Sequence, residues 1–412
     1  MELSFNANKP TIMHIDLDSC FATIAQQAYI HLRDKPLVVA AYATPYGCIL
    51  SPSIEAKKYG IKTGMTVRQA RLICPGVIAR EPDPPMIRDV HTKFKKIFND
   101  YSPSVTPKSI DEAIIDFTGL ESFLKRDLVS IGQEIKDRMR REIGEWISGS
   151  VGIGTNRFHA KTAASVRKHD GLFTISPQNI REVFSKMTLT DINGINVRFQ
   201  ARLNMYGIFT PLQFLDAPLD VLQKQVFKSI GGYYWYMRLR GWESDAIDFE
   251  RKSYGQDYAL GKFTRDPAEL SAILMKLCEK MGRRLRKAGK AAEGVHIACV
   301  FSDYTHWHIG RRVEQQLYTS QELYKNIQRL FNGRPEKDKL IRKLAVSCYD
   351  LVPCAKSQMT LFDTESDRSH ELSDALDKIN DRYGEYVITP ALMLSTKDMV
   401  RDRIAFGSVK EL

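Results

Sequence analysis

An α+β fold spread over several domains is what this sequence predicts, and three observations carry the prediction. The chain has 412 residues, well beyond the roughly 100 to 200 residues of one ordinary domain. Up to about residue 168, segments of strand-like alternation are interleaved with segments of helical spacing. A helix-dominated stretch then runs from Ile175 to about Glu243, and mixed strands and helices return over residues 257–355.

The elements follow in chain order. PTIMHIDLDS places Ile12, His14, Asp16 and Asp18 on one face of a strand and Met13, Ile15 and Leu17 on the other, because successive strand side chains point to opposite faces. CFATIAQQAY has helical spacing, and KPLVVAAYA and GCILSPS read as two strands joined by a turn containing Pro45 and Gly47. IEAKKYG is one short helix ended by Gly60. Val90, Phe94, Ile97, Phe98 and Tyr101 recur at three- and four-residue spacing, which describes an amphipathic helix between Ile87 and Tyr101. The strands PSVTPKS and EAIIDFTGL follow, then the long helix LVSIGQEIKDRMRREIGEWI, the strand SGSVGIGT and the helix RFHAKTAASVRK. The helical stretch carries Gly-containing turns at INGIN and SIGGYY, and DFERKSYGQDY lacks periodicity and reads as a linker. From Ala355 a polar segment, KSQMTLFDTESDRSH, leads to the helix ELSDALDKINDRYG and a loose tail.

Hydrophobic residues make up 43% of the chain and charged residues 26%, a globular balance that excludes a disordered or fibrous protein. The formal net charge is +11 and the pI about 9.2. Such a field attracts polyanions, with nucleic acid the first partner and an anionic membrane the competitor. No apolar run approaches the roughly 20 residues that span a bilayer. The N-terminus MELSFNANKP lacks the basic-then-apolar pattern of a signal peptide, so the expectation is a cytoplasmic protein with no membrane partner. Seven cysteines are scattered without a C-x-x-C pair and read as reduced structural thiols.

Acids inside strand patterns are unusual. Asp16 stands in the first strand, and the pair Asp111-Glu112 stands between Ser109 and the apolar run AIIDF. Burying an ionised carboxylate is costly unless it is paired or bound to a cation, so the three acids point to a divalent metal site. Edge acids facing water are the alternative.

The phrases HIDLDSCFA, SPSIEAKKYGIKTGM, SPSVTPKSIDEAIIDFTG, VGIGTNRFHAKTAA and DINGIN occur in that order. Together they resemble the Y-family DNA polymerases of the DinB and UmuC type. The resemblance runs from about Thr11 to QMTLFD and is strongest in the first 170 residues. It implies a right-hand polymerase with a ferredoxin-like palm (1–22 and 76–168), small fingers (23–75) and a helical thumb with a helix-hairpin-helix (169–246). A linker (247–256), an α+β little finger (257–354) and a C-terminal tail with a clamp-binding peptide (355–412) complete the implied layout. The implied activity is low-fidelity, template-directed DNA synthesis past damaged bases, by a monomer acting on primer-template DNA and deoxynucleoside triphosphates. Two Mg²⁺ ions are implied, with Mn²⁺ able to substitute. SIEAKKYG is closer to DinB and the internal position of the peptide closer to UmuC, which leaves the subtype open.

In that family the first-strand Asp and the D-E pair are catalytic metal ligands, which places Asp16, Asp111 and Glu112 in that role with the Leu17 carbonyl as an added oxygen. Asp18 matches the family strand without a ligand role. Phe21 aligns with the aromatic that lies under the incoming sugar and excludes a 2′-hydroxyl; a plain core Phe is the alternative. Cys20, Ser51, Lys57 and Lys161 fall at nucleotide-binding positions, and Gly47 and Cys48 match small residues that roof the nascent base pair. The family's phosphate contacts are a hydroxyl, a Tyr, an Arg and a palm Lys, where this chain has Ser51, Ile54, Lys57 and Lys161. Ile54 has no donor, and Lys57 offers a point charge where Arg would offer a fork, so the triphosphate grip is expected to differ.

INGINVRFQARLNMYGI resembles a helix-hairpin-helix whose backbone N–H groups meet a phosphate, with Gly194 and Asn196 at its G-x-G positions. Asn tolerates left-handed backbone, so the turn is expected to survive the change. Arg283, Arg284, Arg286 and Lys287 on one helix, and Arg342 and Lys343 near a strand, are expected to contact duplex phosphates in a salt-sensitive way; solvated basic faces are the alternative. SQMTLFD fits the Q-x-x-L-F peptide that docks on bacterial-type sliding clamps, with Gln358 in a polar spot and Leu361 and Phe362 in an apolar pocket. The competing readings are a non-catalytic, clamp-tethered scaffold and a different two-metal enzyme on a similar palm.

Overall fold

The computed structural model of the chain describes residues 4–245, 251–354, 364–396 and 399–400. It comprises two compact units that divide between Ile247 and Asp248.

The strands of the first unit are β1 Ile12–Leu17, β2 Leu37–Ala40, β3 Ile49–Pro52, β4 Ile78–Arg80, β5 Val105–Pro107, β6 Glu112–Asp116, β7 Gly149–Gly154 and β8 Leu172–Thr174. Its helices are α1 Cys20–Ala28, α2 Ile54–Lys58, α3 Val67–Ile73, α4 Pro84–Asn99, α5 Glu121–Leu124, α6 Leu128–Glu142, α7 Arg157–Val166, α8 Ile180–Ser185, α9 Val197–Asn204, α10 Pro211–Asp216 and α11 Ile230–Leu239.

The larger sheet runs in the order β5-β6-β1-β7-β8, with β1 antiparallel to both neighbours. Met13, Ile15 and Leu17 enter one core with Phe94, Ile97 and Phe98 of α4 and Ile131, Ile135 and Met139 of α6. That leaves Ile12, His14 and Asp16 on the other face, as the strand alternation requires. Helix α7 covers that face, with Ala160 against Ile12 and Ile114. It lies so close that a Cβ on Gly152 or Gly154 of β7 would fall 2.0 Å from the Ala160 carbonyl oxygen or 2.4 Å from its nitrogen. Glycine at these positions is a packing requirement.

The smaller sheet has the order β3-β2-β4. Helix α2 is capped by Ser53, whose hydroxyl accepts from Ala56 N, and α3 by a Thr66–Gln69 capping box. Gly47 is forced by the turn itself, since a Cβ there would stand 1.9 Å from the Tyr42 carbonyl oxygen. Helices α8 to α11 enclose a third core around Phe184, Phe214, Leu222 and Trp235.

Two expectations are corrected in this unit. Helix α6 stops at Glu142 although the helical pattern continues to Ile147, because the Trp146 N–H is drawn to Gln27 Oε1 at 2.7 Å. SIGGYY is not a turn but the first part of α11. Gly232 serves close approach, since its Cβ would fall 2.5 Å from the Gln223 Cα.

The second unit contains β9 Ser253–Thr264, α12 Pro267–Lys287, β10 Lys290–Phe301, β11 His306–Leu317, α13 Ser320–Asn332, β12 Ile341–Pro353 and α14 Thr364–Tyr383. Its antiparallel sheet runs β11-β10-β12-β9. Leu270, Leu274 and Leu277 of α12 and Leu323 and Ile327 of α13 pack on Val295, Ile297, Leu344 and Val346 of the sheet. The expected linker is already strand from Ser253 onward, where Tyr254 is buried opposite Cys348. The expected loose tail is also corrected: α14 begins at Thr364, and a 3₁₀ turn at Ala391–Thr396 runs against α12. Among the described residues no helix is long and apolar enough to cross a membrane.

Candidate active site

The register of β1 and β6 sets Asp16 opposite Glu112. Asp111 immediately precedes β6, and its carbonyl accepts the Leu17 N–H at 2.9 Å, which draws the two strand ends together. A cavity of about 540 Å³ opens there, lined by Asp16, Leu17, Cys20, Ser51, Lys57, Asp111 and Lys168 among others. Two acids of the expected triad thus line one cavity with a hydroxyl and two lysines. Glu112 faces Asp16 from the next strand.

The electrostatics of the acids are unequal. Burial, opposed by the Ser109 hydroxyl donating to Oδ1 at 2.5 Å and reinforced by the charges of Asp16 and Glu112, pushes Asp111 up to about 6. Burial also acts to raise Glu112, but His14 and Lys161 outweigh it and hold Glu112 down to about 2. Lys161 Nζ donates to Glu112 Oε2 at 2.6 Å. His14 is buried, with Nε2 3.3 Å from the same oxygen but without the alignment of a hydrogen bond. Lys168 Nζ lies 2.7 Å from Asp16 Oδ1. Burial, then the charge of Lys168, lowers Lys57 from the usual lysine range.

Among the described residues no three His, Cys, Asp or Glu side chains converge as a ready metal cage. Asp16 is turned to Lys168 and Glu112 to Lys161 and His14, so each negative charge already has a cationic or imidazole neighbour. The donor chemistry nevertheless fits a hard divalent cation: all three acids offer oxygen, and Asp111 is pushed up first by burial and further by the two like charges beside it, which a cation would relieve.

Asp18 borders the same cavity, but its oxygens belong to a different network. It is fully buried and accepts from Ser150 Oγ at 2.8 Å, Ser148 Oγ at 3.2 Å and Asp170 N at 2.7 Å, which satisfies it structurally. Cys20 is buried beside the cavity, and burial followed by the charges of Asp111 and Asp16 pushes its thiol well above the usual range. Phe21 is 1% exposed, packs in the core beneath β1, and is not among the residues lining the acidic cavity. Cys48 is exposed and bridges to Thr66 outside that lining. Lys161 lies on Glu112 and is not among the residues lining the cavity, whereas Lys168 is. Sequence reading missed Lys168 and His14. The signal for His14 was present, since it shares a strand face with Asp16.

In the hairpin, Gly194 takes the left-handed conformation with φ +96°. Asn196 does not, contrary to the expectation: it is extended and caps α9, its side chain accepting from Arg198 N and Phe199 N at 3.0 Å each. Those two amides already have a partner. In the second unit Arg283 pairs with Asp381, Arg284 donates to the Gly255 carbonyl at 2.9 Å, and Lys343 pairs with Asp257. Arg342 lies over the Tyr304 ring at 4.5 Å, and Arg286 is buried. The basic clusters therefore hold their own unit together in large part. Gln358, Leu361 and Phe362 lie outside the described residues.

Residues 15–165 match the impB/mucB/samB family, and residues 251–361 match that family's C-terminal domain. DNA polymerase IV of Moorella thermoacetica is 32% identical over 393 residues, spanning 93% of this chain and 96% of that protein. The chain belongs to the Y family of DNA polymerases. DNA polymerase IV of Pelotomaculum thermopropionicum is 30% identical over 397 residues, with 95% of this Y-family chain and 97% of the relative covered. A Dbh-Dpo4-Dbh Y-family chimera has the same fold, with a TM-score of 0.72 at 22% identity, covering 83% of this chain and 99% of its own. DinB from Sulfolobus solfataricus follows with a TM-score of 0.54 at 22% identity, covering 84% and 99% of the two chains. With DNA polymerase IV as the named relative over nearly the whole length, the subtype that the motifs leave open is the DinB type.

Proposed function

We propose that this Y-family polymerase adds deoxynucleotides to a primer 3′-end in the cavity bounded by Asp16 and Asp111, and that it copies damaged templates in the cytoplasm. One observation carries the reading: Asp16 stands opposite Glu112 and beside Asp111, with Ser51, Lys57 and Lys168 around the same cavity. Two Mg²⁺ ions, or Mn²⁺, held by Asp16, Asp111, Glu112 and the Leu17 carbonyl would supply Lewis-acid activation of the primer hydroxyl and charge neutralisation at the triphosphate.

The chain's own groups do the rest. Lys161 and His14 orient Glu112 and keep it ionised. Lys57 and Lys168 bring two positive charges to the cavity where a triphosphate would lie, so the loss of a guanidinium at position 57 is compensated by position rather than by a fork. Lys168 can pass its charge from Asp16 to a phosphate. Ser51 contributes a hydroxyl from β3, and Phe21, one residue beyond Cys20, is the candidate sugar gate. Gly47 and Cys48 leave room over the base pair, and Cys20 lies beside the nucleotide at the cavity wall. The hairpin at Gly194, with Asn196 as its cap, would meet the duplex through the remaining backbone amides, and Arg284, Arg342 and Lys343 are the basic side chains offered to phosphates by the second unit. A Dbh neighbour is described as an insertion ternary complex, which supports DNA and nucleotide as ligands. The Gln358–Phe362 peptide would tether the monomer to a bacterial-type sliding clamp.

Primer extension on clean and lesion-bearing templates tests the reading, with Asp111→Asn as the inert control. Extension by the wild type alone is expected. Wild-type protein that extends nothing in Mg²⁺ or Mn²⁺, or that matches Asp111→Asn, returns the chain to a scaffold role.

A further inference from the structure

A helix packed on a folded unit ordinarily turns its apolar stripe inward. Helix α14 does the reverse. The Tyr318 hydroxyl donates to Asp374 at 2.6 Å, Arg286 of α12 donates to both oxygens of Asp377 at 2.6 and 2.9 Å, and Arg283 pairs with Asp381. His370 packs its ring on Tyr318, 4.6 Å between centroids. At about 100° per residue, positions 370, 374, 377 and 381 share one side of the helix. Leu372, Leu376, Ile379 and Tyr383 fall on the opposite side.

None of those four apolar residues joins the core of the second unit. Leu372 is 59% exposed and Tyr383 63%. Beyond the helix, Val387, Ile388, Leu392 and Leu394 are exposed as well. The Asn380 side chain bonds the Ile388 N–H and carbonyl at 3.1 and 3.2 Å, which fixes this segment beside the stripe. Among the described side chains, the exposed charges flanking the stripe are Arg368, Lys378 and Arg382, against Glu371 and, just beyond the helix, Glu385. Leu376 and Ile379, between Leu372 and Tyr383 on the stripe, are half-buried. Exposed apolar residues gathered on one held surface and rimmed by charge are the signature of an interaction site.

We propose that the outer face of α14, continued by Val387 to Leu394, docks on the same protein that takes the Q-x-x-L-F peptide, in an apolar groove flanked by carboxylates. This rests on the clamp reading given above and extends it. Phe362 stands two residues before Thr364, the first residue of α14, and two extended residues reach only about 7 Å. Leu372 is a further eight residues along a helix, about 12 Å. A partner that holds Leu361 and Phe362 therefore lies within about 20 Å of the stripe. The basic rim selects an acidic partner surface. Two linked contacts on one partner bind more tightly than the peptide alone, because the second contact forms at high effective concentration.

The test titrates the full chain, a synthetic peptide of residues 355–363, the double variant Leu372→Ser/Tyr383→Ser and the double variant Gln358→Ala/Phe362→Ala against the sliding clamp of the same organism. The full chain is expected to bind at least about tenfold more tightly than the peptide, the stripe variant to fall to the peptide's affinity, and the peptide variant to lose binding. Clamp-free primer extension by the stripe variant serves as the check on folding and is expected to be unchanged. A stripe variant that binds like wild type while the peptide variant does not overturns the inference and leaves the clamp reading standing. A peptide variant that binds like wild type removes the clamp reading, and the inference with it. Two further outcomes also overturn it: sedimentation showing a dimer that only the stripe variant dissolves, and binding to vesicles of anionic lipid that only the stripe variant loses.

Discussion

Replacing Asp111 by Asn should abolish activity and yet stabilise the metal-free protein. Folding raises the Asp111 carboxyl from 3.8 to about 6, so the folded state binds a proton more tightly than the unfolded state. The stabilising effect of that proton is complete below about pH 4 and is lost as the pH rises through about 6. At neutral pH the ionised group then costs on the order of 3 kcal/mol, from about 1.36 kcal/mol for each pH unit. Asn removes the charge and keeps an oxygen to accept from Ser109, which now donates to Oδ1. Asp111→Asn should therefore gain up to about 3 kcal/mol at pH 7.5 and nothing near pH 4. Urea denaturation of both proteins across pH 4 to 8 with chelator, followed by repetition with Mg²⁺, reads the effect. Mg²⁺ should narrow the gap by stabilising the wild type. A variant no more stable than wild type at pH 7.5, or equally stabilised at both ends of the range, would refute the assignment of a cost to burying the Asp111 carboxylate beside two like charges.

Three further outcomes follow from the same geometry. Lys168→Ala should raise KM for the incoming triphosphate by about tenfold, the scale of a lost charge-assisted contact of about 1.4 kcal/mol, with a smaller change in kcat; equal loss in both would place Lys168 on the reacting atoms. His14→Phe and Lys161→Met each remove a group facing Glu112 and should weaken Mn²⁺ binding measured by electron paramagnetic resonance, while His14→Gln should recover part of it; unchanged Mn²⁺ affinity in all three would make His14 a packing residue only. Arg286→Met leaves Asp377 unpaired at a mostly buried contact and should cost about 3 kcal/mol, seen as proteolytic release of the segment after Tyr383; a protease pattern like that of wild type would show that the C-terminal helix is held by something else.

Much of the palm was legible because a strand converts sequence parity directly into faces. Once Met13, Ile15 and Leu17 are the buried set, His14 and Asp16 have no choice of side, and the antiparallel partner brings Glu112 opposite. The lysines were less legible. Lys161 and Lys168 lie seven residues apart at the two ends of one segment, and which of them meets Glu112 and which meets Asp16 depends on how the chain turns back after α7. That turn is tight: a Cβ on Gly171 would stand 1.7 Å from the Arg167 carbonyl oxygen. Asn196 was misread for a related reason. Its side chain can serve the backbone either by tolerating left-handed φ or by capping, and only the presence of Gly194 at φ +96° decides for the cap.

Helix α14 exposes a deeper limit, because an amphipathic pattern defines two faces without saying which one turns inward. The usual answer is the apolar face, since burial removes area from water at about 25 cal/mol per Å². Here the alternative prevails because α12 places Arg283 and Arg286 three residues apart, on neighbouring positions of one helix surface, and both meet acids of α14. Arg286 is itself buried, and a buried guanidinium demands a carboxylate. Once Asp377 answers that demand, Asp374 and Asp381 are carried to the same side by the helical repeat, and Leu372 and Tyr383 are left facing water. The outward stripe is thus the consequence of a buried arginine on a different helix, a cause that no reading of residues 364–383 by themselves contains.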